Sequence, residues 1–270
     1  MSNKHNIHLI SDSSGETVNG VVRACLVQYD QEMVRQHEWW LIRTEQQMKK
    51  ALQGIENHPG IVVFTLVDPR IKLQLEEGCE KLGVPYISIL DPILSIMNNA
   101  FKSKGDHQIG KQHNLDADYF ERIKAIQFAM DFDDGQRITM IDEADIVLVG
   151  VSRTSKTPTC MYLANRGYRV ANIPLVPGQT HSSEVFSNPH TFFVGLVCDP
   201  KNLSDIRQNR LKMMKEDRHI DYADMQYVKE EVANSRKLFR KNNWPVIDVT
   251  RKSIEETAAS IIQLYNSRIN

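Results

Sequence analysis

The residues with the clearest chemical potential stand together between Gly150 and Thr157, in the sequence GVSRTSKT. An apolar, β-branched run precedes them at 146–149, and a helix-length segment follows them as far as Gly167. A strand, a glycine-bearing turn and a helix headed by Lys-Thr make up the Walker A phosphate loop, in which backbone N–H groups hold phosphates. In such a loop the lysine reaches the terminal phosphates and the threonine hydroxyl meets Mg²⁺. We therefore predict a nucleotide-phosphate site here.

One position departs from the Walker A pattern, because Ser155 stands where the second glycine is expected. This serine either restricts the loop conformation or contributes a hydroxyl to the phosphate. An ordinary βαβ turn rich in Ser and Thr is the alternative, but Pro158 near the helix start and a second strand at 168–173 favour the phosphate loop. The predicted phosphate-binding residues are Gly150, Val151, Ser152, Arg153, Thr154, Ser155, Lys156 and Thr157.

A carboxylate for the metal ion is predicted downstream of the loop. Asp199 follows the apolar run 191–198, and an acid at a strand end after a phosphate loop is where such proteins hold Mg²⁺. The predicted metal ligands are thus Thr157 and Asp199. Asp68 and Asp91 also follow apolar runs, but each precedes a proline and is better interpreted as a helix cap.

Two arginines form a second candidate group in the same half of the chain. Arg207 and Arg210 are three residues apart on a predicted helix at 203–214, so they share one helix face. Two guanidinium groups so placed can clamp a transferring phosphoryl group. A solvated basic stripe explains the spacing equally well, and both interpretations stay open.

The N-terminal segment holds a second strand, turn and helix. A strand at 6–11 is followed by Asp12 and by the polar turn 13–17, which leads into an amphipathic segment at 18–28. Hydroxyl groups, a glycine and an acid in this turn can either bind a phosphate at the helix start or cap the helix. The spacing does not choose between the two.

The elements that must position these residues alternate along the whole chain, as short apolar runs and helix-length amphipathic segments. This alternation predicts an α/β fold, with βαβ crossovers, a mainly parallel sheet and flanking helices. The polar stretch 98–118 predicts a linker or mobile loop, and another loop is predicted at 179–190. We accordingly predict an N-terminal α/β domain at 1–105 and a phosphate-loop domain at 106–270.

Composition narrows the class of partner. The chain has 33 Lys and Arg against 34 Asp and Glu, so no global field favours nucleic acid or an anionic membrane. No apolar run approaches the roughly 20 residues of a membrane span, and no signal-peptide core follows the first residues. The four cysteines lack C-x-x-C spacing. Reduced thiols and a cytoplasmic location are therefore expected.

Five stretches together support a family resemblance. They are ISDSSGET, GVSRTSKTP, ANIPLVPG, GLVCDP and VIDVTRKSIEETA, in this order along nearly the whole chain. Together they resemble the bacterial and plant pyruvate, phosphate dikinase regulatory proteins. The phosphoenolpyruvate synthetase regulatory proteins are similar, but they tend to carry Cys-Gly at Thr154-Ser155 and lack Ser-Gly-Glu after Asp12. The sequence therefore resembles the dikinase branch more closely.

The resemblance implies two activities in one protein. One is ADP-dependent phosphorylation of a threonine on the dikinase, which inactivates the enzyme. The other is removal of that phosphoryl group by inorganic phosphate, which releases pyrophosphate. On this implication Lys156 neutralises the ADP β-phosphate, Mg²⁺ is the metal, and Asp12 is the candidate base that orients the target threonine. Arg207 and Arg210 are candidates for contacts to phosphate, and a homodimer is kept open.

Two classes of nucleotide-binding protein are disfavoured by the absence of their motifs. The chain has neither the N-K-x-D motif of GTPases nor the H-R-D and D-F-G motifs of protein kinases. Three alternatives remain open: the same chemistry on phosphoenolpyruvate synthetase, a small-molecule kinase with this loop, and a non-catalytic nucleotide-sensing module.

Overall fold

The structure is a computed structural model, which describes residues 4–29, 33–103, 105, 117–133, 138–178, 186, 191–214 and 220–269. It divides into two compact units, 1–114 and 115–270. Each unit contains a four-stranded sheet in which every pair of neighbouring strands is parallel. The predicted α/β fold with a parallel sheet and flanking helices is confirmed.

Unit 1 has the strand order β2-β1-β3-β4. Its strands are β1 (His5–Ser11), β2 (Val34–Trp39), β3 (Gly60–Thr65) and β4 (Tyr86–Ser88). Its helices are α1 (Glu16–Leu26), α2 (Glu45–Asn57), α3 (Pro69–Leu82) and α4 (Leu90–Phe101).

Side chains of β1 alternate between two hydrophobic clusters, as the two faces of a strand require. Ile7 and Leu9 pack with residues of α1, whereas Ile10 packs with residues of α2 and α3. The flanking helices begin at local caps: Thr44 starts α2 with a capping box, and Asp68 accepts a hydrogen bond from the Arg70 amide at the start of α3. The prediction that Asp68 is a helix cap is confirmed.

Unit 2 has the strand order β6-β5-β7-β8. Its strands are β5 (Ile146–Val151), β6 (Val170–Leu175), β7 (Phe192–Val197) and β8 (Val246–Asp248). A 3-10 helix (Ile138–Glu143) precedes β5, and the α-helices are α5 (Ala117–Asp131), α6 (Lys156–Ala164), α7 (Pro200–Met214), α8 (Ile220–Ala223), α9 (Met225–Lys241) and α10 (Ile254–Ile269). Every residue of β5 and β7 is buried, which explains their uninterrupted apolar sequences.

The two sheets share one topology, because in each the first strand lies between the second and the third. In such sheets ligands bind beyond the carboxyl ends of the strands, where the strand order reverses. That point lies between β1 and β3 in unit 1 and between β5 and β7 in unit 2. Asp12 follows β1 and the predicted phosphate loop follows β5, so both stand where this fold binds ligands.

Some sequence-based elements differ from the structure. The segment 90–101 forms α4, although we predicted a linker or mobile loop from 98. Asp91 lies in the first turn of α4 without capping it, because Ile89 is the N-cap. The predicted linker and the loop at 179–190 fall largely outside the described residues. Among the described helices, none is long and apolar enough to span a membrane.

Candidate active site

The predicted phosphate loop connects β5 to α6 at the point where the strand order reverses. Gly150 lies so close to β7 that a Cβ atom would sit 2.7 Å from the Leu196 carbonyl oxygen and 2.9 Å from Thr154 Oγ1. Only glycine fits this approach, because real Cβ contacts are never so short. The first glycine of the motif is therefore needed for packing against β7.

Two residues of the loop adopt the left-handed conformation. Arg153 has φ 74° and Ser155 has φ 57°, and Ser155 is the N-cap of α6 without a side-chain cap hydrogen bond. A non-glycine residue in this region carries about 1–2 kcal/mol of strain. Ser155 thus takes the backbone conformation for which the Walker A pattern uses glycine.

The carbonyl oxygen of Val151 accepts two side-chain hydrogen bonds that close the loop. Thr154 Oγ1 donates at 2.9 Å and Lys156 Nζ donates at 3.0 Å. Lys156 is only 5% exposed, so its ammonium group lies inside the turn. An anion held at this turn would find a positive charge that is already shielded from water, which strengthens their attraction.

Thr157, the predicted Mg²⁺ ligand in the loop, lies beside the carboxylate of Asp133, which was not predicted as a site residue. Its hydroxyl donates a hydrogen bond to Asp133 Oδ1 at 2.9 Å. The Asn172 side-chain amide donates to the same oxygen and contacts Thr157 Oγ1 at 3.4 Å. Three residues from α6, from β6 and from the end of α5 therefore meet at one point.

The structure separates the two candidate arginines. Arg207 is 1% exposed and donates to Glu231 Oε2 at 2.6 Å, to the Tyr222 carbonyl at 2.8 Å and to the Ser152 carbonyl at 3.2 Å. Its guanidinium group also lies over the Tyr222 ring, 4.6 Å from the centroid. Arg210 is exposed on the same helix. Arg207 therefore anchors the loop backbone, and the two side chains do not form a pair.

Asp199 caps α7. Its Oδ1 accepts from the Lys201 amide at 3.0 Å and from the Asn202 amide at 3.1 Å. It borders a surface depression of about 830 Å³ at the ends of β7 and β8, which Asp205 and Asp248 also line. The structure brings Asp133 next to Thr157, and it gives Asp199 a different set of neighbours.

Asp12 occupies the equivalent point of unit 1. It is 4% exposed, and its Oδ2 accepts a hydrogen bond from the Val67 amide at 2.8 Å. Burial raises the pKa of this carboxyl group above its ordinary value. The turn that follows is tightly packed, because Gly15 has φ 78° and a Cβ there would lie 2.1 Å from the Trp40 ring.

Sequence reasoning missed Asp133, Asn172, Tyr222 and Glu231. The sequence did contain one indication of Asn172, because an asparagine within the apolar strand VANIPL has a buried side-chain amide that needs hydrogen-bond partners. Asp133 was not among the predicted site residues. Its partnership with Thr157 bridges 24 positions of the sequence, a distance at which no local pattern operates.

The chain matches the family model described as kinase/pyrophosphorylase over residues 7–262. A relative from Paramagnetospirillum magneticum is 51% identical over 269 residues, covering 100% of this chain and 86% of the relative. Relatives from Rhodospirillum rubrum (49% identical, 96% of this chain, 94% of the relative) and Caulobacter vibrioides (48% identical, 96% and 82%) are similarly close. All three are provisionally named pyruvate, phosphate dikinase regulatory proteins. The resemblance noted in the sequence is confirmed, and the chain belongs to the kinase/pyrophosphorylase family.

Proposed function

We propose that this protein regulates pyruvate, phosphate dikinase by reversible phosphorylation of a threonine. In the forward reaction the threonine oxygen attacks the β-phosphorus of ADP, and AMP leaves. In the reverse reaction an oxygen of inorganic phosphate attacks the phosphorus of the phosphothreonine, the threonine oxygen leaves and takes up a proton, and pyrophosphate is released. The names of the relatives support the target, and the family description supports a phosphotransferase.

The observation that carries the proposal is the loop between β5 and α6. It combines a glycine packed against β7, a buried lysine and a helix start without a side-chain cap, at the point of strand-order reversal. Backbone N–H groups and a shielded lysine stabilise negative charge that develops on a transferring phosphoryl group. We assign the ADP phosphates to residues 150–157 and the β-phosphate to Lys156.

Asp12 is our candidate for the base that accepts the threonine proton. A general base is most effective when its pKa lies near the working pH, and burial moves the pKa of Asp12 in that direction. Mg²⁺, when bound, would neutralise phosphate charge, with Thr157 as a ligand from the loop. Because Arg207 is committed to Glu231, the exposed Arg210 and the turn after Asp12 remain as candidates to bind inorganic phosphate.

The test is to incubate the purified protein with dikinase and, separately, with phosphoenolpyruvate synthetase, adding ADP or ATP. Phosphothreonine is then mapped by mass spectrometry. We expect modification of the dikinase with ADP, and its loss with pyrophosphate release when phosphate is added. If only the synthetase were phosphorylated, the synthetase and not the dikinase would be the target.

Two outcomes would change the class of function. Turnover of nucleotide with a metabolite and no target protein would identify a small-molecule kinase. Nucleotide binding without transfer to any acceptor would identify a sensing module. Asp12→Asn tests the base within the same assay, because full kinase activity of this variant would refute the role.

A further inference from the structure

Three polar residues from three elements of unit 2 meet beside the phosphate loop. Asp133 follows α5, Thr157 lies in the first turn of α6, and Asn172 lies within β6. Thr157 donates to Asp133 Oδ1 at 2.9 Å, and the Asn172 amide donates to the same atom. We name these residues the α5–β6 cluster. It contains no histidine or cysteine, and all its side chains carry hard oxygen atoms.

The Asn172 side chain is unusual for its place in the sheet. It is 1% exposed and stands opposite Leu148 of β5, in a ladder that is otherwise apolar. Its buried Oδ1 finds no hydrogen-bond partner among the residues that the structure describes, although its Nδ2 contacts both other members of the cluster. A buried acceptor without a partner is costly, and in native proteins it points to an ion or to water.

The amide can present either atom to the cluster, since rotation about its terminal torsion exchanges Oδ1 and Nδ2. With Nδ2 facing Asp133, the amide satisfies the carboxylate. With Oδ1 facing it, the cluster presents a carboxylate, a hydroxyl and an amide oxygen. These are the ligand types that Mg²⁺ and Mn²⁺ prefer.

We infer that the α5–β6 cluster is the divalent-cation site of the phosphate loop, with Asp133 as its carboxylate ligand in place of Asp199. One carboxylate and one hydroxyl suit Mg²⁺, which keeps several waters and takes further ligands from substrate phosphates. Thr157 belongs to both the loop and the cluster, so a cation there adjoins the phosphates assigned to residues 150–157. The inference rests on the proposed function, because it assumes nucleotide at this loop.

Asp199 has a different task in this structure. Its carboxylate accepts hydrogen bonds from two amides of α7, and its own amide donates to Thr250 Oγ1 at 2.8 Å. These contacts fix it as a helix cap and tie it to the segment after β8. Replacing it should disturb α7 more than the binding of a cation.

The experiment is a titration of Mn²⁺ into the full chain in the presence of ADP, with free Mn²⁺ measured by electron paramagnetic resonance. Asp133→Asn keeps an oxygen that can accept from Thr157 but removes the charge. We expect it to weaken Mn²⁺ binding by about tenfold or more, since disturbing even an outer-shell partner of a metal costs that much. Asp131→Asn, at the last residue of α5 and two positions before Asp133, is the matched control and should bind Mn²⁺ normally.

A second pair of variants guards against simple misfolding. Thr157→Val should lower Mn²⁺ affinity, whereas Thr157→Ser keeps the hydroxyl and should retain it. Thermal unfolding of each variant establishes that the protein is folded. Unchanged Mn²⁺ affinity in folded Asp133→Asn, or a loss seen only in Asp199→Asn, would overturn the inference.

ADP binding is measured separately, by calorimetry in the presence of Mg²⁺. ADP binding by the unsubstituted protein, with Mn²⁺ affinity that does not depend on Asp133, would refute this site and leave the proposed function standing. Absence of ADP binding would refute the nucleotide function and the cation site together.

Discussion

At the scale of single residues, Lys156 is the group on which phosphoryl transfer from ADP should depend most. Its ammonium group is buried within the loop, and replacing it removes a charge that would stabilise the transferring phosphoryl group. We expect Lys156→Met to lower dikinase phosphorylation by about a hundredfold or more, corresponding to about 3 kcal/mol. Phosphorolysis needs no nucleotide and should lose less. Both directions are assayed, with the exposed Lys237→Met as the control.

Equal losses in the two directions, in folded Lys156→Met, would contradict this separation. The attacking phosphate and the ADP β-phosphate would then occupy the same binding site.

A second prediction at the residue scale concerns the contribution of Arg207 to stability. Its ion pair with Glu231 is buried, and the same guanidinium group holds the Ser152 carbonyl of the loop. Removing one partner of a buried pair leaves a charge uncompensated and costs about 3–5 kcal/mol. We expect Arg207→Gln to lower the free energy of unfolding by about this amount in urea. Arg210→Gln, on the exposed side of the same helix, should change it by about 0.5 kcal/mol at most.

The double variant Arg207→Gln with Glu231→Gln removes both charges. It should recover part of the lost stability, and the absence of any recovery would show that packing of the arginine, rather than charge, is what matters.

At the scale of the element, the β5–α6 connection carries part of its strain at Ser155. Glycine reaches φ 57° without the clash that a Cβ atom causes. We expect Ser155→Gly to raise the free energy of unfolding by up to about 1 kcal/mol, because relief of strain outweighs the added freedom of the unfolded chain. ADP binding should persist. The matched control is Ser155→Ala, which loses the hydroxyl but keeps the Cβ atom, and a loss of ADP binding in both variants would mean that the serine hydroxyl contacts the phosphate.

At the scale of the whole molecule, each unit has its own hydrophobic clusters and its own sheet, and unit 1 also contains a stack of histidines. His8 and His37 have ring centroids 4.6 Å apart, and His37 lies 5.0 Å from His58. His8 is fully buried, with hydrogen bonds to Trp39 and to the His58 carbonyl. Burial lowers the pKa of His8 and of His37, so both are neutral in the folded protein near pH 7.

The pH dependence follows from these lowered pKa values. Below about pH 6.5 the unfolded chain takes up protons that the folded chain refuses, so acid favours unfolding. We expect the free energy of unfolding to be at its full value above about pH 6.5. At lower pH it should decrease, by at most about 1.4 kcal/mol per pH unit for each proton. Urea titrations from pH 5 to 8 measure this slope. His37→Gln should reduce the slope, the exposed His5→Gln should not, and identical slopes in all three proteins would exclude the stack as the cause.

The parallel α/β alternation, the position of the β5–α6 connection and the family all follow from the sequence alone. These features are local. A β-branched run predicts a buried strand, and a glycine followed by Lys-Thr at a helix start is recognised within a single segment of the sequence. The Asp68 cap was predictable for the same reason. Even the strain at Ser155 follows from a departure at one position of a known pattern.

The partners of the site residues, in contrast, follow only from the three-dimensional fold. Helix periodicity placed Arg207 and Arg210 on one face, but it could not reveal that Glu231 and Tyr222 cover the first and leave the second in water. In the same way Thr157 meets Asp133, 24 positions away, because α5 and β6 both pack next to α6. A periodic pattern reports which side of an element is buried. What lies against that side depends on the order of the strands, which no single segment contains.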